Sequence, residues 1–600
     1  MAATLYLVQA KQAYAAGQWQ EVGRLTQLCI NSARGDMALR NAALGLLSAA
    51  LMQVGQLEQA LPICLSLEQS LPNDANNLAN IGHLLTQLKR HAEAISYLER
   101  AVKAAPIHAG THLNLAIAYT ANQQTDPAKA SFLTAIQLDP TLAKAHYGLG
   151  EILLRQEGRI SEALTAYERG LQLEPKNFIA LSNLQFIQYF LYPHDLKQSA
   201  KVLQRYRQSV ATIVPIKHLA TEPHHPLRIG IVSADFCHHV VASFLDSTLA
   251  EIRGNPALKH RVTLVAYYNR NLHDEVTQRL RSRFDLWRQI EQASDEQVVQ
   301  QIQHDQIDIL IDLSGHTVGN RLPVFARKPA PLQISWLGWF GSTGLKAMDY
   351  VLADPISVPV AEESWFVEHI WRMPTLRYCF TPPLDAPEVS PPPCTTRDHV
   401  TFGCYQSLTK INDGVLRYWS QILTACPQAR LRLQAVALAH PEQQARFLSQ
   451  LQHAGIAIDH VDLVAGMSST EYLASYADVD VLLDTFPYTG GTTTAEALWM
   501  GLPTLTLALP GMLGRQGEAF MRAVGLDDWV ATSEADYIAK AIHWGQADHD
   551  ARRSLTTLRH GLRARLVKSA AFNAQIFAVQ WVDAMDAMWQ DKIAAAHPSK

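Results

Sequence analysis

Cysteine is scarce in this chain: seven among 600 residues, Cys29, Cys64, Cys237, Cys379, Cys394, Cys404 and Cys426. They are scattered, odd in number and never spaced C-x-x-C, which excludes a disulfide framework and a thiolate metal knot and predicts reduced thiols. An excess of either charge is also missing. Fifty-one Lys and Arg face 55 Asp and Glu, a formal charge of −4, so there is no polycationic footprint for nucleic acid. Charged residues make up 18% and hydrophobic ones 48%, a balance that excludes wholesale disorder. The most apolar stretches, WLGWFGSTGL and VLLDTFPYTGG, are short and broken by Gly, Pro or Thr, whereas a membrane-spanning helix needs roughly 18 or more apolar residues in a row. MAATLYLVQAKQAYAAGQW lacks the basic start, apolar middle and small-residue cleavage site of an export signal. A soluble, cytoplasmic protein with no membrane partner is expected.

What is present first is a period. Pro72, Pro106, Pro140 and Pro175 lie 34, 34 and 35 residues apart, each after a helical run. Gly82, Ala94 and Ala101 recur as Ala116, Ala128 and Ala135, then as Gly150, Ala163 and Gly170 with one extra residue in the RQEGRIS turn; Ser48 and Ala60 begin an earlier copy. Small residues at these places let antiparallel helices approach closely. The pattern resembles the tetratricopeptide repeat, with AYAAGQWQEV as a degenerate first copy that caps an array over residues 1–185. Such an array offers a groove for an extended peptide or a partner protein, or a surface for homo-oligomerisation or spacing. NFIALSNLQFIQYFL and DLKQSAKVLQRYRQSVATI lead out of it as transitional helices to residue 225, where TEPHHP marks a junction.

From residue 226 the pattern changes. LRIGIVS, VTLVAYY, IDILIDLS, LQISWLG and YVLADP alternate with amphipathic segments, which is the signature of a parallel sheet covered by helices. The proline-dense TPPLDAPEVSPPPCTTRD at 381–398 interrupts it, and VTFGCYQ, ARLRLQAV, IDHVDLVAG, VDVLLDTF and TLTLALP resume it. Two α/β lobes, 226–380 and 399–600, are therefore expected on either side of a linker, with ligands at the carboxyl ends of their strands.

Three segments carry chemistry. In DVDVLLDTFPYTGGTTTAEALWMG, a strand ending at Asp484 meets Gly490 and Gly491 and then a helix led by Thr492, Thr493 and Thr494: strand, Gly-rich loop, helix start. Free backbone N–H groups there suit a diphosphate, and Glu496, read as lying in the first helical turn, suits a ribose; alternatively these residues only cap a core helix. In FGCYQSLTK, Gln406, Ser407 and Lys410 follow another strand, where Lys410 is either an anion ligand or a solvated charge. In IVSADFCHHVVASFL, Asp235, His238 and His239 follow the first strand; one histidine can accept a proton or hold a hydroxyl, or cap a helix.

These segments, together with RKPAPLQISWLGWFGSTGLKAMDYVLADP, resemble the O-GlcNAc-transferase-like family, in which tetratricopeptide repeats precede a two-lobed glycosyltransferase of GT-B type. The resemblance runs from about residue 40 to about 580. It implies an inverting, metal-independent transfer of a sugar to Ser or Thr hydroxyls, with no cofactor beyond a nucleotide-sugar donor. UDP-GlcNAc is the expected donor. By the same resemblance, Lys410 contacts the donor diphosphate, Thr492 and Thr493 hold it, Glu496 takes the ribose, Tyr472 stacks on the nucleobase, His239 is the active-site histidine and Gly338 lines the sugar pocket. Gly491 stands where animal members carry a histidine, and DTFPY-x-G-x-TTT with LSGHTVGN also resembles the SPINDLY branch. GDP-fucose or UDP-glucose as donor, and a scaffold with a decayed transferase domain, are the alternatives.

Overall fold

The computed structural model describes residues 2–155, 158–218 and 224–596; part of the RQEGRIS turn and the first half of the TEPHHP junction lie outside them. The chain forms two compact units, Met1–Pro175 and Lys176–Lys600.

Among the described residues the first unit is five antiparallel helix pairs: Ala2–Ala15 with Trp19–Ser32, Met37–Gln53 with Leu57–Ser70, Ala75–Gln87 with His91–Ala104, Ala109–Ala121 with Thr125–Leu138, and Ala143–Arg155 with Ile160–Leu173. The periodic prolines end the second helix of a pair, because the residue before a proline is pushed out of the helical region. Leu71, Ala105, Asp139 and Glu174 accordingly have ψ of 68°, 75°, 96° and 74°. Three first helices are started by a side chain that accepts a backbone N–H: Asp36, Asp74 and His108. The recurrent small residues mark the close approaches. A Cβ on Gly82 would lie 2.3 Å from Leu98 Cγ and one on Gly170 2.3 Å from the Tyr147 ring, while Ala94, Ala101, Ala116, Ala128, Ala135 and Ala163 are fully buried.

The second unit begins with the helices Phe178–Ile187 and Leu196–Val210, so the repeat array closes at Pro175, ten residues before the expected boundary at 185. Ser182 shows why: its hydroxyl donates to His316 Nδ1 at 2.9 Å, while the His316 Nε2–H donates to the Thr343 carbonyl at 3.0 Å. Burial pushes this imidazole down to about 3, so it stays neutral and ties the helix to the first lobe.

Among the described residues thirteen strands follow: β1 Leu227–Ser233, β2 Val262–Tyr268, β3 Leu286–Gln289, β4 Ile309–Asp312, β5 Leu332–Ser335, β6 Tyr350–Ala353, β7 His369–Arg372, β8 Thr401–Cys404, β9 Arg430–Gln434, β10 Val461–Val464, β11 Val481–Leu483, β12 Thr504–Leu507 and β13 Val530–Ala531. They form two parallel sheets, ordered β3-β2-β1-β4-β5-β6-β7 and β10-β9-β8-β11-β12-β13. Each is wound outward from its first strand in both directions, the Rossmann order, and so has a switch point where a crevice opens at the carboxyl ends: between β1 and β4, and between β8 and β11.

The linker is packed rather than free. Arg552, Arg559 and Arg563 of the helix His549–Leu566 bond to Cys394 O, Ser390 Oγ and Pro387 O. The last helix, Ala574–Ala596, was expected with the second lobe but returns to the first. Trp581 packs on Trp336 with ring centroids 5.6 Å apart, Arg261 pairs with Asp583 at 2.7 Å, and Lys592 with Asp349 at 3.0 Å.

Candidate functional site

The polar segments singled out in the sequence fall at the two switch points. In the second lobe β11 runs into Asp484, which is 1% exposed. One of its oxygens accepts the N–H of Thr485 at 3.0 Å and of Gly490 at 2.8 Å, and the other accepts the Thr506 hydroxyl at 2.8 Å. The carboxylate thus fixes the loop that delivers Gly490 and Gly491 to the helix Thr492–Trp499. Among the described residues no side chain caps this helix, whose N-cap is Gly491, and the buried Thr492 and Thr494 hydroxyls have no hydrogen-bond partner. Gly490 has no room for a side chain: a Cβ would meet Gln406 Nε2 and Thr494 Oγ1, both at 2.3 Å.

From the other side of the crevice, β8 feeds Gln406 and the short 3-10 turn Leu408–Lys410. Gln406 is buried and its Nε2 donates to Thr493 Oγ1 at 2.6 Å. Lys410 Nζ donates to Gln406 Oε1 at 3.0 Å and to the Thr489 carbonyl at 3.4 Å. Desolvation pushes the amine down to about 8, partly countered by the Asp484 charge. Gln406, Lys410, Gly490 and Thr493 are therefore one connected cluster at an uncapped helix start, an arrangement suited to an anion. The Ser407 side chain is exposed and donates only to Thr409 Oγ1, at 3.5 Å, among the described residues, while its carbonyl accepts the Lys410 backbone N–H at 2.9 Å.

Glu496 lies on the second turn of the helix rather than the first, since the helix begins at Thr492. It accepts the Tyr472 hydroxyl at 3.1 Å, and burial pushes its carboxyl up to about 7. Tyr472, expected to stack on a nucleobase, is edge-on to both Tyr405 and Tyr476, at 5.6 Å each, with its hydroxyl on Glu496.

In the first lobe β1 leads to Asp235 and His239. His239 is the N-cap of the helix Val240–Gly254, with Nδ1 accepting the Val241 N–H at 3.3 Å, so the capping role that the sequence left open is real. Its side chain is 39% exposed, and Nδ1 also stands 3.7 Å from the buried Asp235 carboxylate, which Arg270 approaches to 3.8 Å. Burial lowers the imidazole's pKa against the opposing pull of Asp235. His238 is exposed, with its backbone N–H on Asp274 at 2.7 Å. Gly338 sits where a Cβ would be 1.9 Å from the Leu313 carbonyl; close backbone packing between the loops after β4 and β5 demands glycine there.

Sequence reasoning passed over Asp484 as a loop anchor, and also Asn412, which caps the helix Asp413–Ala425 and donates to the Phe486 carbonyl at 2.6 Å. Asn-Asp-Gly before an apolar run was the available signal for the latter. The tripeptide Asp478-Val479-Asp480 has the D-x-D spacing of metal sites, but Asp480 accepts the backbone N–H groups of Cys394 and Thr401 at 2.9 and 2.8 Å, and Asp478 pairs with Arg397 and Arg432, each at 3.3 Å. Among the described residues no group of three or more His, Cys, Asp or Glu is placed to hold a metal, and no helix is long and apolar enough to cross a membrane.

Two Rossmann-type lobes with their polar residues at the switch points, closed by a helix returning from second to first, define a GT-B glycosyltransferase. The comparisons with known proteins agree. The family model for glycosyl transferase family 41 matches residues 200–379 and 395–581, and tetratricopeptide models match 85–134 and 143–177. The chain belongs to glycosyl transferase family 41. It is 34% identical to the tomato (Solanum lycopersicum) protein named probable UDP-N-acetylglucosamine–peptide N-acetylglucosaminyltransferase SPINDLY, over 61% of this chain and 39% of that one. To the Caenorhabditis elegans UDP-N-acetylglucosamine–peptide N-acetylglucosaminyltransferase it is 22% identical, over 61% and 41%. The chain thus spans less than half the length of these curated relatives. A solved structure of a Thermobaculum terrenum O-GlcNAc transferase mutant superposes with a TM-score of 0.79 at 31% identity, covering 87% of this chain and 98% of that one.

Proposed function

We propose that this protein transfers N-acetylglucosamine from UDP-GlcNAc to Ser or Thr hydroxyls of other proteins with inversion at the anomeric carbon. The observation that carries this reading is the cluster of Lys410, Gln406 and Gly490 at the uncapped helix start Thr492. A diphosphate there meets free backbone N–H groups, the positive helix end and an ammonium. The acceptor oxygen attacks the anomeric carbon, the bond to the β-phosphate breaks with its electron pair staying on the nucleoside diphosphate, and the hydroxyl proton passes to water. Lys410, Thr492, Thr493 and Thr494 stabilise the charge that develops on the leaving group, a preorganised role worth about 10²–10³ in rate per donor. Glu496, steadied by Tyr472, receives the ribose. His239 orients the reacting groups from the opposite lobe: with Nδ1 accepting from Val241, a neutral ring carries its proton on Nε2 and presents a donor. The tetratricopeptide unit recruits the acceptor polypeptide. The names borne by the SPINDLY relatives and by the Thermobaculum structure support UDP-GlcNAc as donor and protein as acceptor.

The test is incubation of the purified protein with UDP-GlcNAc, UDP-glucose and GDP-fucose in turn, following donor hydrolysis and self-glycosylation by mass. UDP-GlcNAc is expected to be consumed and Lys410→Ala to abolish consumption with the fold intact. Turnover of GDP-fucose or UDP-glucose alone would reassign the donor, and none with any donor would leave a repeat scaffold.

A further inference from the structure

The lysine at the centre of this reading is itself held in place. Lys410 Nζ stands 4.0 Å from the centroid of the Tyr488 ring. The Tyr488 hydroxyl makes no hydrogen bond among the described residues. Its ring neighbours are Phe190 at 5.1 Å, Phe340 at 5.4 Å and Phe186 at 6.3 Å. Phe186 and Phe190 come from the helical segment that precedes the first lobe and Phe340 from the loop after β5, whereas Tyr488 and Lys410 belong to the second lobe. One ring thus bears the lysine and is braced by residues from outside its own lobe.

We infer that Tyr488 is a positioning residue: its π face holds the Lys410 ammonium at the Thr492 helix start, and its bracing by Phe186, Phe190 and Phe340 makes that placement depend on the docking of the two lobes. The inference rests on Lys410 acting in transfer as proposed above. A ring face stabilises a cation electrostatically, and more so where water is excluded. The amine also donates to Gln406 Oε1 and the Thr489 carbonyl, and the titratable groups that bear on it are Asp484 from the end of β11 and Cys404 from the end of β8; substitution of the Tyr488 ring removes none of these.

The experiment compares Tyr488→Leu, which keeps apolar bulk without a π face, with Tyr488→Phe, which keeps the face without the hydroxyl. Two quantities are read: the pH at which Lys410 is half acylated by an amine-directed reagent, from peptide masses, and kcat and KM for UDP-GlcNAc hydrolysis. Tyr488→Leu is expected to lower the acylation midpoint by about one pH unit and kcat roughly tenfold, with KM within about threefold, and Tyr488→Phe to restore both. Phe340→Leu, which loosens the brace without touching the lysine, is expected to move both in the same direction by less, and keeps the test open if Tyr488→Leu does not fold. A folded Tyr488→Leu with wild-type midpoint and kcat, or a Phe variant as impaired as the Leu one, overturns the inference. Normal turnover by Lys410→Ala overturns the functional reading and the inference with it; an inactive Lys410→Ala beside an unaffected Tyr488→Leu overturns the inference alone. The acylation arm needs no turnover, so it decides even where the donor is reassigned.

Discussion

The backbone N–H of Gly490 donates to the Asp484 carboxylate at 2.8 Å, and this bond places the glycine-rich loop over the helix start. The two adjacent glycines are consequently not equivalent. A Cβ at Gly490 collides with Gln406 Nε2 and Thr494 Oγ1 at 2.3 Å, whereas one at Gly491 meets only the flexible end of Gln516 at 3.0 Å. Gly490→Ala is expected to raise the donor KM or lower kcat by at least about tenfold, in line with the roughly 1–3 kcal/mol cost of overpacking. Gly491→Ala should stay within a few-fold. Isothermal titration with UDP and steady-state donor hydrolysis check this; equal behaviour of the two variants would remove the steric argument.

Asp484 also writes a pH dependence into stability. Burial pushes its carboxyl up to about 6, above the roughly 3.9 of an unfolded chain. Between these values the folded state keeps a proton that the unfolded state has lost, so the contribution of the neutral carboxyl is full below about pH 4 and disappears as pH rises through about 6. Asp484→Asn keeps an oxygen for Thr485 and Gly490 and can donate to Thr506. Relative to wild type it is expected to gain stability between pH 4 and 7, by up to about 3 kcal/mol, and to level off above. Denaturant titrations at several pH values measure the difference; a constant offset would show that Asp484 titrates normally.

How legible this was in the sequence depended on which face a strand shows. The ten strands anticipated include every interior one; burial on both faces makes most of these continuous apolar runs, although β9, RLRLQ, alternates. The three that were missed, Leu286–Gln289, His369–Arg372 and Val530–Ala531, are all sheet edges, where one side needs no partner and polar residues such as Arg288 and His369 are tolerated. The repeat was legible because its prolines and small residues act locally. The end of the array was not, because the helix Phe178–Ile187 follows Pro175 as its predecessors follow their prolines, and it is contacts such as those with His316, Trp339 and Phe340 that assign it elsewhere. Likewise, Lys410 and the threonines could be placed after strands, but that both strands flank the switch point is a property of strand order, which no local pattern encodes.

The lowered Lys410 amine, at about 8, predicts an alkaline limb. As pH rises through 8 the free enzyme loses the ammonium that meets the diphosphate, so kcat/KM for the donor should fall tenfold per pH unit above it, while kcat, reporting the donor complex, should fall at higher pH. Lys410→Arg keeps its charge throughout and should abolish the limb at lower overall activity. A wild-type kcat/KM that is flat from pH 7 to pH 10 would remove Lys410 from the donor site.

His239 caps a helix at the end of the loop after β1, and one substitution separates that role from the part in transfer proposed for it. Asparagine is among the best N-caps, so His239→Asn should keep thermal stability close to wild type while losing imidazole chemistry. Activity is expected to fall by about 10²-fold or more. If the acidic limb of the wild-type pH profile persists in the residual activity of the variant, the imidazole is a positioner; its disappearance would make His239 the base. An active, stable His239→Asn would reduce the residue to its cap.

The boundary at Pro175 dictates where the repeats can be removed. A chain starting at Lys176 retains Ser182, Phe186 and Phe190, and with them the bond to His316 and the aromatic packing on Trp339, Phe340 and Tyr488. It is expected to fold and to hydrolyse donor at near wild-type rate while losing transfer to protein acceptors. A chain starting at Leu196 removes those groups, leaves His316 Nδ1 without its donor and uncovers the aromatic cluster. At about 3–5 kcal/mol for each buried Phe deleted, it should be insoluble or melt far below the longer fragment. Thermal melts of both fragments, with donor hydrolysis and acceptor labelling measured in parallel, distinguish recruitment by the repeats from stabilisation by the helices that follow them: equal loss of hydrolysis and acceptor transfer on removing residues 1–175 would assign the repeat unit a stabilising role instead.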